Sequence, residues 1–70
     1  MIQNEIIFLV EESLEGGWEA KALGHSIYTE AETLDELKEA VRDAVRCHFE
    51  EENLPRMIWL HVGRYEILTV

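Results

Sequence analysis

The chain has one cysteine, Cys47, and one proline, Pro55. A lone cysteine rules out an intrachain disulfide and the paired-cysteine motifs of zinc ribbons and thiol oxidoreductases, so a reducing, cytoplasmic setting is expected. Cations are scarce as well: six Lys and Arg stand against fifteen Asp and Glu, for a formal net charge of −9. A field of that sign repels nucleic-acid phosphates and anionic lipid head groups. Direct DNA or RNA binding and membrane association are therefore not expected. Long hydrophobic runs are absent too, the longest being Ile6, Ile7, Phe8, Leu9 and Val10, far short of a membrane span. The start, Met1, Ile2, Gln3, Asn4 and Glu5, lacks the basic residues of a signal peptide. No repeat, linker or low-complexity stretch divides the 70 residues, so a single domain over residues 1–70 is expected. A domain this small buries only about 60% of the surface its unfolded chain exposes. Its apolar content, 47%, is that of a folded chain. So small a core gains from self-association, and a homodimer or higher homo-oligomer is expected.

What is present reads as an α+β domain, an antiparallel sheet packed on one amphipathic helix. Residues 2–12 hold a β-rich run with no helical period, which predicts a first strand. Both alternating faces of that run are apolar. One face can meet the helix, and the other needs a second cover, so Ile6, Ile7, Phe8, Leu9 and Val10 are the expected oligomer interface. Gly16 and Gly17 can take positive φ in a turn leading to a second antiparallel strand. In that strand Trp18, Ala20 and Ala22 alternate with Glu19 and Lys21, leaving space for an approaching helix. Residues 26–31 predict a short third strand. Thr33 and Glu36 form a capping box, which starts a helix over residues 34–50. Its apolar stripe is Leu34, Leu37, Val41, Ala44, Val45, His48 and Phe49. Asn53, Leu54 and Pro55 are expected to end it. Residues 57–62 and 65–70 are again β-rich, and Gly63 marks either a hairpin or a bulge in one long bent strand, of which the long strand is preferred.

No residue pattern amounts to a catalytic or cofactor signature, so no cofactor, catalytic residue or metal ligand is assigned. His25, His48 and His61 are the obvious candidates for metal binding or acid–base work, yet their spacing matches no motif and structural roles are expected. His25, after a loop glycine, is expected to be exposed and His48 to lie near the buried stripe. A small metal-dependent hydrolase would require these histidines to converge with carboxylates. The runs Glu11, Glu12 and Glu50, Glu51, Glu52 do not suffice, because strand neighbours point to opposite faces and helical neighbours diverge by about 100°. Cys47 beside His48 is no thiol–imidazole pair for the same reason, and a quiet, partly buried cysteine is expected. Gly16 and Gly17 lack the lysine and following helix of a phosphate loop. Phe8, Trp18, Tyr28, Phe49, Trp59 and Tyr65 are needed for core or interface rather than a ligand pocket.

The segment Gly17-Trp18-Glu19-Ala20-Lys21-Ala22-Leu23-Gly24-His25-Ser26-Ile27-Tyr28-Thr29-Glu30 carries a family likeness. It is continued by Thr33-Leu34-Asp35-Glu36-Leu37 and by Ala40-Val41-Arg42-Asp43-Ala44-Val45-Arg46-Cys47-His48-Phe49. In order and spacing these segments resemble the short HicB-like proteins. Ala31-Glu32 departs from the Gly-Asp that many members carry, so the turn into the helix is expected to differ. The resemblance implies a β-β-β-α-β domain, antitoxin-related and non-enzymatic, which covers a small basic ribonuclease toxin. It also implies that the sequence stops before the DNA-binding segment of longer members. On that reading Glu39, Asp43, Glu50, Glu51 and Glu52 form the expected partner-facing acidic surface. The alternative is a self-associating structural or regulatory homo-oligomer without a toxin partner.

Overall fold

A computed structural model of the chain describes residues 4–63 and 68–70. Its elements are β1 (Glu5–Glu12), β2 (Trp18–Ala22), β3 (Tyr28–Ala31), α1 (Leu34–His48), a 3-10 turn (Glu51–Asn53) and β4 (Met57–Gly63). The α+β class and the β-β-β-α-β order are those expected, with one four-stranded sheet in the order β3-β2-β1-β4 packed on one helix. The sheet is mixed, however, not antiparallel throughout, because β4 runs parallel to β1. The cause is the helical crossover. β1, β2 and β3 alternate in direction, so β3 runs the same way as β1. A helix that carries the chain back before the next strand delivers that strand in the direction of β3. β4 joins the far edge, beside β1, and is parallel to it.

The first hairpin forms where Gly16 and Gly17 take φ of 100° and 84°. At Gly17 a Cβ would lie 3.0 Å from the Ala31 carbonyl oxygen, so both the dihedral and the close approach exclude a side chain there. The helix begins as expected: the Glu36 backbone N–H donates to the Thr33 hydroxyl at 3.1 Å. Among the described residues the return bond to the Glu36 carboxylate is not formed. A Thr33→Ala variant is expected to lose about 1 kcal/mol of stability, read as a lowered urea midpoint with an unchanged slope.

The helix ends earlier than residue 50. Phe49 and Glu50 are extended, and the Phe49 N–H caps the Val45 carbonyl at 3.1 Å. Three consecutive glutamates would have met the negative end of the helix dipole, and stopping at His48 takes them out of it. The proline thus follows a separate 3-10 turn and does not itself stop the helix. Residues 64–67, Tyr65 among them, and residues 1–3 lie outside the described residues. The choice between hairpin and long strand after Gly63 falls there, while Leu68, Thr69 and Val70 belong to no strand.

The core is one layer between sheet and helix. Ile6, Phe8 and Val10 of β1, Ala20 and Ala22 of β2, and Ile27 meet Leu37, Val41 and Val45 of α1, all buried. Alternation along β1 therefore has consequences for the other face. Ile7 and Leu9 point away from the helix and are 42% and 36% exposed.

Candidate functional site

The sheet face opposite α1 has no cover within the described residues. Register places its side chains in cross-strand rows. Ile7 stands beside Trp59, and Leu23, whose N–H donates to the Ile7 carbonyl, continues that row past the end of β2. Leu9 stands between Lys21 and His61, with Tyr28 next to Lys21. Met57 lies beside Glu5 at one end. Trp59 and Tyr28 are 51% and 58% exposed. A soluble domain normally scatters such side chains, and a contiguous apolar patch marks an interaction surface.

At the other end of the face the character reverses. Glu11 is paired with Glu19, and Glu19 with Glu30, so three carboxylates stand in one row across three strands. Like charges directly opposite one another are unfavourable. Tyr28 relieves part of this by donating its hydroxyl to Glu19 at 3.0 Å and Glu30 at 3.3 Å. A shallow depression beside the row adds Glu15 and Glu32. The hydrogen bond to Glu19, with the neighbouring carboxylate charges, pushes the Tyr28 phenol up to about 12. The neutral phenol keeps both bonds below pH 10, and they are lost as pH rises through about 12. Glu19→Gln is expected to bring the ionisation of Tyr28 back toward its ordinary value, measured by ultraviolet titration with Tyr65 replaced by Phe.

The expected sites fare differently. Of the five apolar residues of β1, Ile6, Phe8 and Val10 belong to the chain's own core, and only Ile7 and Leu9 are open to a second molecule. Of the expected acidic surface, Glu39 and Asp43 are exposed but partnered by Arg42 and Arg46. Glu50, Glu51 and Glu52 are exposed and form no ion pair among the described residues. The row of Glu11, Glu19 and Glu30 escaped sequence reasoning, because its members become neighbours only through strand register.

The histidines divide. His25 is half-buried rather than exposed, and His48 is exposed rather than part of the stripe. Their rings meet edge-on at 5.9 Å between centroids, and each also packs edge-on against Phe49. His61 stands alone on the open face of β4. Among the described residues no three His, Cys, Asp or Glu are grouped to hold a metal ion. Cys47 is exposed, not partly buried, because the stripe of α1 turns it outward. No helix among the described residues is long and apolar enough to cross a membrane.

The fold and this face define a small α+β domain with one helix and one open sheet surface. The chain belongs to the UPF0150 family. A UPF0150 protein of Archaeoglobus fulgidus is 60% identical over 52 residues, which cover 74% of this chain and 77% of the relative. A UPF0150 protein of Thermotoga maritima is 47% identical over 49 residues, covering 70% of each. No family model matches the chain. No solved structure matches it either.

Proposed function

We propose that this chain is a non-enzymatic, HicB-like, antitoxin-related protein-binding module. It self-associates through the apolar part of its open sheet face and receives a small basic protein, of the ribonuclease-toxin kind, at its carboxylates. The observation that carries the reading is the row of Glu11, Glu19 and Glu30 bordering an exposed apolar patch on one face. Apolar contact supplies affinity, and the carboxylates select a basic partner and speed its approach. The net charge of −9 works in the same direction. The order of segments shared with HicB-like proteins supports the class of partner.

The test is retention of a partner on the immobilised chain at low salt, with wild type compared against a Glu19→Lys, Glu30→Lys variant. A small basic protein held by wild type and released by the variant is the expected result. That protein, once purified, should have ribonuclease activity that the chain suppresses. Failure to recover a basic protein, or equal retention by both chains, overturns the reading. The apolar patch itself favours the second reading, a self-associating homo-oligomer of structural or regulatory role. Stable self-association with no basic partner recovered would establish that reading instead.

A further inference from the structure

One helix is too narrow for this sheet. Four strands about 4.8 Å apart span roughly 15 to 20 Å, whereas a helix with its side chains is about 10 Å across. α1 packs over β2 and β3. Its buried stripe closes the layer above Ile6, Phe8 and Val10, but the helix-side residues of β4 lie beyond its reach. Ile58 and Leu60 are only half-buried, and Val62, on the same side as Val10, is 47% exposed. Between this strip and the flank of α1 runs an open cleft of about 420 Å³.

The cleft is lined by cations in a molecule that is otherwise acidic. Of the six Lys and Arg in the chain, four line it: Lys38, Arg42, Arg46 and Arg56. None of the fifteen carboxylates does so among the described residues. Lys38, Arg42 and Arg46 recur at every fourth position and stand one above another along α1, while Arg56 faces them from the segment entering β4. Asp35, Glu39 and Asp43 partner the three helical cations in solvent-exposed pairs. Exposed pairs of this kind contribute little and exchange readily for a better acceptor. Arg56 has no ion pair among the described residues.

We propose that this cleft docks an acidic amphipathic helix of a partner protein. Its apolar stripe would lie on Ile58 and Leu60, and its flanking carboxylates would meet Lys38, Arg42, Arg46 and Arg56. The width left beside α1 is roughly 5 to 10 Å, room for at most one helix. The cleft is open along its length, whereas a small-molecule site encloses most of its ligand. The helix of a second copy does not supply the occupant, because the apolar stripe of α1 is already buried and its outer side carries Asp35, Glu36, Glu39 and Asp43. This surface is separate from the open sheet face and selects the opposite charge, so neither proposal depends on the other.

The experiment is a titration of the full chain, followed by backbone amide shifts, with a synthetic amphipathic helix bearing Leu on one side and Glu along both flanks. The same peptide with Lys in place of Glu, and sodium dodecanoate, are titrated in parallel. The Glu peptide is expected to shift the amides of Arg42, Arg46, Ile58 and Leu60 and to bind more weakly as salt is raised. Charge reversal by Arg42→Glu with Arg46→Glu is expected to weaken it by about tenfold or more. Arg56→Glu, outside the helix, repeats the test should the double variant lose its fold. Equal binding of the Lys peptide, shifts confined to the open sheet face, or unchanged affinity of both variants would overturn the proposal. Absence of peptide binding also overturns it, and saturable dodecanoate binding at these residues in that case would assign the cleft to a small anionic amphiphile.

Discussion

Replacing Phe8 with Ala is expected to remove most of the stability of the domain. Phe8 is fully buried in the single core layer, paired with Ala22 on one side and Leu60 on the other. Neither neighbour has a free apolar group to refill the space, since Ala22 has only a methyl and Leu60 is held at the edge of the cleft. Deleting a buried aromatic ring costs about 3 to 5 kcal/mol. A chain of this length has a total stability of roughly 3.5 to 10 kcal/mol. At a slope of about 1 kcal/mol per molar urea, the midpoint should fall by roughly 3 M or more. Ile7→Ala, one residue away on the other face, is the control. With its side chain largely in water, it should cost under about 1 kcal/mol at protein concentrations low enough to suppress association. Comparable losses at the two positions would show that the faces of β1 are wrongly assigned.

This contrast rests on a feature the sequence states plainly. Five apolar residues in a row within a strand require two covers, and period-two alternation tells which residues share a cover, though not which face meets the helix. Local chemistry made other features legible too. Thr33 and Glu36 mark the helix start through atoms three residues apart, and Gly16 and Gly17 mark the hairpin through the one dihedral region that favours them. What failed to show were features decided at a distance. The helix was expected to run to Glu50 and to be ended by Asn53, Leu54 and Pro55, because the sequence offers no nearer breaker. It ends at His48, where Phe49 turns aside and its ring meets His25, more than twenty positions away. The direction of β4, by contrast, was legible and overlooked, since a strand delivered by a helical return runs as β3 and β1 do.

The candidate site was legible only in part, for the same reason. The apolar residues open to a partner, Ile7 and Leu9, are two of the five that the sequence proposed, while Trp59 and Tyr28 join them only once β4 and β3 are in register. The acidic residues read most easily, those on α1, are the ones the protein neutralises with its own arginines three positions on. The row on the sheet, assembled from three strands, sets carboxylates beside an apolar surface. Abundant carboxylates carry little information in one dimension. Their grouping by strand pairing separates a solvated helix face from a surface where charge and apolar area coincide.

Trp59→Glu is expected to abolish self-association while leaving the fold intact. Trp59 lies on the open face beside Ile7, half in solvent and outside the core, so its replacement creates no cavity. In an interface the same ring would be the largest apolar anchor on the face, and tryptophans at such positions commonly contribute about 2 kcal/mol or more. That corresponds to a dissociation constant raised roughly thirtyfold, before the added repulsion of one more carboxylate on each copy. Sedimentation velocity over a concentration series reads the shift, and circular dichroism confirms that the variant is folded. Salt dependence separates the two components. Wild-type association should strengthen as salt screens the mutual repulsion of chains carrying −9 each. A tight contact built on the acidic row and the basic cleft would instead weaken. A wild-type chain that stays monomeric at high micromolar concentration and high salt would remove the oligomer from the proposal and leave the open face, Trp59 included, to the basic partner alone.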